Sequence, residues 1–127
     1  DVIQADAGTR TASITGAWLA LEQACRSLVE QGILEQSPLV DQVAAVSVGL
    51  VDGQTLLDLD YSEDSRAEVD LNVVQAGDGR LLEIQGTAEG APFSRQQLNE
   101  LLDLAEPGLT SLMQAQRQAL DEHSSNR

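Results

Sequence analysis

Tyr61 to Asp70, Tyr-Ser-Glu-Asp-Ser-Arg-Ala-Glu-Val-Asp, holds the residue types best equipped for chemistry, with Leu57, Asp58, Leu59 and Asp60 leading into it. Asp58, Asp60, Glu63, Asp64 and Asp70 stand close in sequence and flank a break between two runs that read as β-strands. Carboxylate oxygens suit hard cations such as Mg²⁺ or Mn²⁺, and one or two carboxylates with substrate phosphates make a usual Mg²⁺ environment. A solvated acidic loop at a strand-turn-strand junction is the other reading of the same residues. The run lacks the ligand spacing of an EF-hand loop.

A second stretch suits an anion. Ala5-Asp6-Ala7-Gly8-Thr9-Arg10-Thr11-Ala12-Ser13 leads into an amphipathic helix in which Ile14, Ala17, Trp18, Leu21, Ala24, Cys25, Leu28 and Val29 recur at three and four residues, closing at Gly32. The first turn of a helix leaves backbone N–H groups unpaired and carries roughly half a positive charge. Gly8 would let the backbone approach an anion, Thr9 and Ser13 offer hydroxyls, and Arg10 offers a charged fork. An ordinary capped helix with an exposed arginine explains these residues equally well.

The rest of the chain must position these two stretches. With 127 residues, 42% of them hydrophobic, it can bury one core and not two. Its net charge of −14 opposes binding of nucleic acid or an anionic membrane by this chain alone. All seven basic residues are arginine, which raises the interest of Arg10 and Arg66. No apolar run is long enough to span a membrane and no signal peptide is visible. The single Cys25 excludes an internal disulfide and fits a reducing compartment. His123 is the only histidine and lies in a polar tail, so a catalytic triad or a histidine metal cluster is discounted. The chain begins at Asp1 in what reads as a strand end, as part of something longer.

Val43 to Val51 is a run of small and β-branched residues ending at Asp52-Gly53, a hairpin signal that predicts an antiparallel return over Thr55 to Leu59. Past the acidic break, Val69, Leu71 and Val73 line one face of a strand and Asp70 and Asn72 the other. That places Asp70 on a rigid support, as a metal ligand requires. Gly77-Asp78-Gly79 turns the chain into a strand over Arg80 to Gln85, and Gly86 to Pro92 reads as a loop. Ser94 and Gln97 form a capping box, with Phe93 and Leu98 as its staple. Leu98, Leu101, Leu102 and Ala105 give the helix its inner stripe. Pro107 should kink or restart it before Leu109, Leu112, Met113 and Leu120. Trp18, Cys25 and Met113 read as packing residues, and Glu63 and Glu68 as solvated or structural.

Four segments, taken in order, resemble ribonuclease PH: Gly8 to Gly16, Ser47 to Gly53, Glu63 to Asp70 and Gly86 to Ser94. The resemblance covers nearly the whole chain but only about the C-terminal half of such an enzyme, assigning residues 1–120 to that half and 121–127 to a polar tail expected to fray. It implies an α+β fold, a mixed, mostly antiparallel sheet packed against helices in a β-α-β layer. It also implies a phosphate-dependent 3′ to 5′ exoribonuclease that trims the 3′ ends of transfer-RNA precursors, with inorganic phosphate as co-substrate and nucleoside diphosphates as products. Gly8, Thr9, Arg10 and Ser13 would then hold the attacking phosphate. Asp64 and Asp70 would be metal-binding (Mg²⁺ or Mn²⁺) or acid-base carboxylates, with Arg66 pairing to hold one of them in place. Family members act on RNA in the cytoplasm as homo-oligomeric rings of dimers. The alternative is a catalytically incompetent fragment that only folds and self-associates.

Overall fold

The computed structural model describes residues 9–57 and 66–125. Helix α1 spans Thr9–Glu30, strands β1 to β4 span Val43–Val51, Gln54–Leu57, Val69–Ala76 and Leu81–Ala88, and helix α2 spans Arg95–Ser125. The strands form one sheet in the order β2-β1-β3-β4. Every pairing among the described residues is antiparallel. The α+β architecture inferred from the sequence is therefore present, in a sheet built from hairpins.

The hairpin between β1 and β2 turns on Asp52 and Gly53, both at positive φ (52° and 78°), with Val51 opposite Gln54. Two residues at positive φ match the right-handed twist of the flanking strands, which is why Asp-Gly is favoured there. At the β3–β4 turn the Arg80 backbone N–H, then its guanidinium, hold the Asp78 carboxyl below its ordinary range.

Two helices sandwich the sheet. Ala44, Val46, Val48 and Leu50 of β1 and Val69, Leu71 and Val73 of β3 face Leu101, Ala105, Leu109 and Met113 of α2, all buried. The reverse face buries Ala45, Ser47, Val74 and Ala76, and α1 lies over it. Where β2 stops, the free edge of β1 is covered by side chains instead of another strand. The Ala45 N–H donates to Thr15 Oγ1 at 3.0 Å, and the Val43 carbonyl accepts from Gln116 Nε2 at 3.0 Å.

Four features depart from the sequence reading. First, the inward side of α1 carries Thr11, Glu22 and Cys25, while Ala17, Leu21 and Ala24 of the expected stripe are exposed. Glu22 is tolerated there because its carboxylate accepts a hydrogen bond from Ser37 Oγ at 2.6 Å. Second, α1 begins at Thr9, so Ser13 lies inside it, and the helix closes through Gly32 as expected. Gly32 has φ 76°, and the Ile33 N–H reaches the Leu28 carbonyl at 2.9 Å, a Schellman closure.

Third, β4 runs on through Gly86 to Ala88 where a loop was expected. Gly86 opposes Leu71, and a Cβ there would lie 2.6 Å from Leu71 Cδ1. Since Leu71 is 1% exposed, Gly86→Ala is expected to destabilise by about 1–3 kcal/mol through overpacking. Urea unfolding checks this, and an unchanged midpoint would show that Leu71 moves aside freely. Fourth, Pro107 sits inside α2 without dividing it. The capping box does form: the Ser94 N–H donates to Gln97 Oε1 at 2.8 Å and the Gln97 N–H to Ser94 Oγ at 3.1 Å. The helix continues beyond Asp121 to Ser125.

Candidate active site

Asp70 belongs to β3, which is paired on both sides: Gly49 of β1 is its partner on one flank and Thr87 of β4 on the other. Strand alternation turns Asp70 and Asn72 away from α2 and onto the face that α1 covers. The neighbouring row is Ser47, Asn72 and Gln85, and the next is Ala45, Val74 and Glu83. This face is polar toward Asp70 and apolar further along, where the body of α1 packs.

The polar row is well fixed on one side. Asn72 Nδ2 donates to Gln85 Oε1 at 3.1 Å. Ser47 Oγ and Asn72 Oδ1 are buried with no hydrogen-bond partner among the described residues. Ser47, Glu83, Gln85 and Thr87 were not singled out from the sequence. The available signal was the period-2 alternation from Leu81 to Ala88, obscured once Gly86 was read as the start of a loop.

Arg10 lies in the first turn of α1, and its Nη2 donates to Glu83 Oε1 at 2.6 Å, with the two side chains about half exposed. The start of α1 and Asp70 therefore occupy one face of the sheet, with Arg10 over β4 and Asp70 on the adjacent strand. Glu83 and Thr87 are four residues apart on one strand, so the anchor of Arg10 lies roughly 13 Å along the sheet from the row of Asp70. Thr9 opens α1 and Ser13 is exposed on it. Gly8 and Asp64, like Asp58, Asp60 and Glu63, lie outside the described residues.

Among the described residues no group of three or more His, Cys, Asp or Glu is placed to hold a metal ion. Asp70 contributes a hard carboxylate on a rigid strand, a donor chemically suited to Mg²⁺ or Mn²⁺. Arg66 pairs with Asp52 in the β1–β2 turn at 3.1 Å. An open groove of about 560 Å³ lies at the α2 side, lined by Gln54, Thr55, Glu68, Gln97, Glu100 and Leu101 among others. It includes none of the candidate phosphate- or metal-binding residues, and among the described residues its lining has carboxylates but no cation, so it is a poor receptor for phosphate. No helix among the described residues is long and apolar enough to cross a membrane.

Known proteins give this geometry a context. Residues 41–108 match domain 2 of the 3′ exoribonuclease family. The chain is 94% identical over 125 residues to the ribonuclease PH of Synechococcus sp. (strain CC9605), covering 98% of this chain and 51% of that protein. It is 73% identical over 120 residues to the ribonuclease PH of Parasynechococcus marenigrum (strain WH8102), covering 94% and 48%. Its fold is similar to the crystal structure of rice (Oryza sativa) Rrp46, with a TM-score of 0.58 at 18% identity over 80% of this chain and 46% of that one. The chain thus spans about half the length of the curated relatives it matches. On the matched domain and these identities, the chain belongs to the ribonuclease PH family.

Proposed function

We propose that this chain supplies the phosphate-binding helix start and a metal-binding or acid-base carboxylate of a phosphorolytic exoribonuclease. In this reading inorganic phosphate attacks the last phosphodiester at the RNA 3′ end and releases a nucleoside diphosphate. The observation that carries the reading is the shared face: the first turn of α1, bearing Arg10, and the strand-borne Asp70 lie on the same side of one sheet. Glu83, which holds Arg10, and Thr87, which pairs with Asp70, stand roughly 13 Å apart along β4.

Phosphoryl transfer asks a protein mainly to position two anions and to neutralise their charge. Thr9, Arg10, Ser13 and the unpaired N–H groups of the first turn, together with Gly8, would receive the attacking phosphate. Asp70, joined by Asp64, would hold a divalent cation or exchange a proton at the scissile linkage. A bound Mg²⁺ or Mn²⁺ supplies charge stabilisation at the departing oxygen. The substrate is the 3′ end of a transfer-RNA precursor, and the working form is a cytoplasmic ring of dimers.

The net charge of −14 favours a second reading for the isolated segment, a fragment that folds and self-associates without turnover. Both are tested by incubating a tailed transfer RNA and Mg²⁺, with and without inorganic phosphate, with either the full-length protein or residues 1–127. Phosphate-dependent release of nucleoside diphosphates by the full-length protein is the expected result. Release of monophosphates without phosphate would identify a hydrolase and sink the proposal. Turnover by residues 1–127 alone would remove the fragment reading.

A further inference from the structure

We propose that Glu83 is a positioning residue for Arg10, setting the affinity of the site for inorganic phosphate. The inference rests on the reading of Arg10 as a phosphate ligand and adds a residue to it. A guanidinium presents two edges of paired N–H donors, and Nη2 contributes one hydrogen to each. The 2.6 Å bond from Nη2 to Glu83 Oε1 is monodentate, so it engages one edge and leaves the other whole for a bidentate grip on an anion. Glu83 is well placed for this task because it projects from a strand, paired to Val74 of β3, and not from a loop. Arg10, by contrast, is a long side chain on the first turn of a helix, and Glu83 is its one hydrogen-bonding partner among the described residues.

Without that partner the side chain would sample several rotamers, and phosphate binding would have to order it. The pair is about half exposed, so its effect is modest and lies in binding rather than in the chemical step. Glu83 and Thr87 lie on the same strand, and Thr87 pairs with Asp70. β4 therefore serves as a ruler between the guanidinium and the carboxylate.

The test uses a full-length ribonuclease PH carrying this segment, with kcat and the KM values for phosphate and for RNA measured separately. Glu83→Ala is expected to raise the phosphate KM about two- to fivefold, with kcat and the RNA KM unchanged. Glu83→Gln keeps an oxygen acceptor at the same reach and is expected to recover most of that loss. Arg10→Ala, run in parallel, should raise the phosphate KM further and make Glu83→Ala silent in the double variant. If Arg10→Ala raises the phosphate KM while Glu83→Ala leaves it unchanged or lowers it, Glu83 is a bystander or a competitor, and the proposal falls alone. If Arg10→Ala leaves the phosphate KM unchanged, the reading of Arg10 fails and takes this inference with it. Thermal melts of both Glu83 variants verify that a lost activity is not a lost fold.

Discussion

On the proposed function, replacing Asp70 with Asn in a full-length ribonuclease PH carrying this segment is expected to slow phosphate-dependent release of nucleoside diphosphates by about 100-fold or more. Asn keeps the shape of the side chain and removes its charge. The strand beneath is held by β1 on one flank and β4 on the other, so far-UV circular dichroism and the melting temperature should barely change. The form of the defect tells the two roles of a carboxylate apart. Loss of a metal ligand raises the Mg²⁺ concentration needed for half-maximal rate, and excess Mg²⁺ restores part of the activity. Loss of an acid-base group flattens one limb of the pH-rate profile and is indifferent to Mg²⁺. Turnover within a few-fold of the unmodified enzyme would remove Asp70 from the reaction.

The second large effect concerns stability. Gln116→Leu is expected to destabilise the fold by about 2–4 kcal/mol, because the residue is 2% exposed and uses both ends of its amide. Its Nε2 donates to the Thr15 carbonyl at 3.1 Å and the Val43 carbonyl at 3.0 Å, and its Oε1 accepts from Gln42 Nε2 at 2.7 Å. One side chain of α2 thereby ties down α1 and the uncovered stretch of β1. Leucine fits the volume but leaves the Val43 carbonyl without its partner in a partly buried position. Chemical unfolding followed by circular dichroism measures the change. A shift below about 0.5 kcal/mol would mean that water replaces the amide without cost.

The strands and their turns were legible in the sequence because local chemistry and tertiary demand agree there. Val43 to Val51 reads as a strand and is one. Asp52-Gly53 specifies a tight turn by conformation alone, and Ser94 with Gln97 encodes a helix start through two reciprocal hydrogen bonds. The same alternation placed Asp70 and Asn72 opposite Val69 and Leu71, so the direction of the carboxylate followed from its neighbours.

The rest depended on contacts distant in the chain. The orientation of α1 escaped notice because alanine and leucine occur on several sides of it, and its inward side carries Thr11 and Glu22, residues whose burial depends on partners such as Ser37. Gly86 breaks a strand pattern locally, yet it is held in the sheet opposite Leu71. Pro107 forfeits one hydrogen bond to the Asp103 carbonyl. Leu101, Ala105, Leu109, Met113, Gln116 and Leu120 nevertheless keep one buried line across it, and the next residue, Gly108, lies close against Leu57. The Arg10–Glu83 pair joins residues 73 positions apart, and no local pattern announces it.

Among the described residues β4 is an edge strand of the sheet, with Leu81, Leu82 and Ile84 at 48%, 59% and 41% exposure. A row of unclaimed amides beside greasy side chains is a template that welcomes any extended peptide. Handled as a separate polypeptide, this segment should therefore be sticky, and its colloidal behaviour should worsen steeply with concentration even while each molecule remains natively folded.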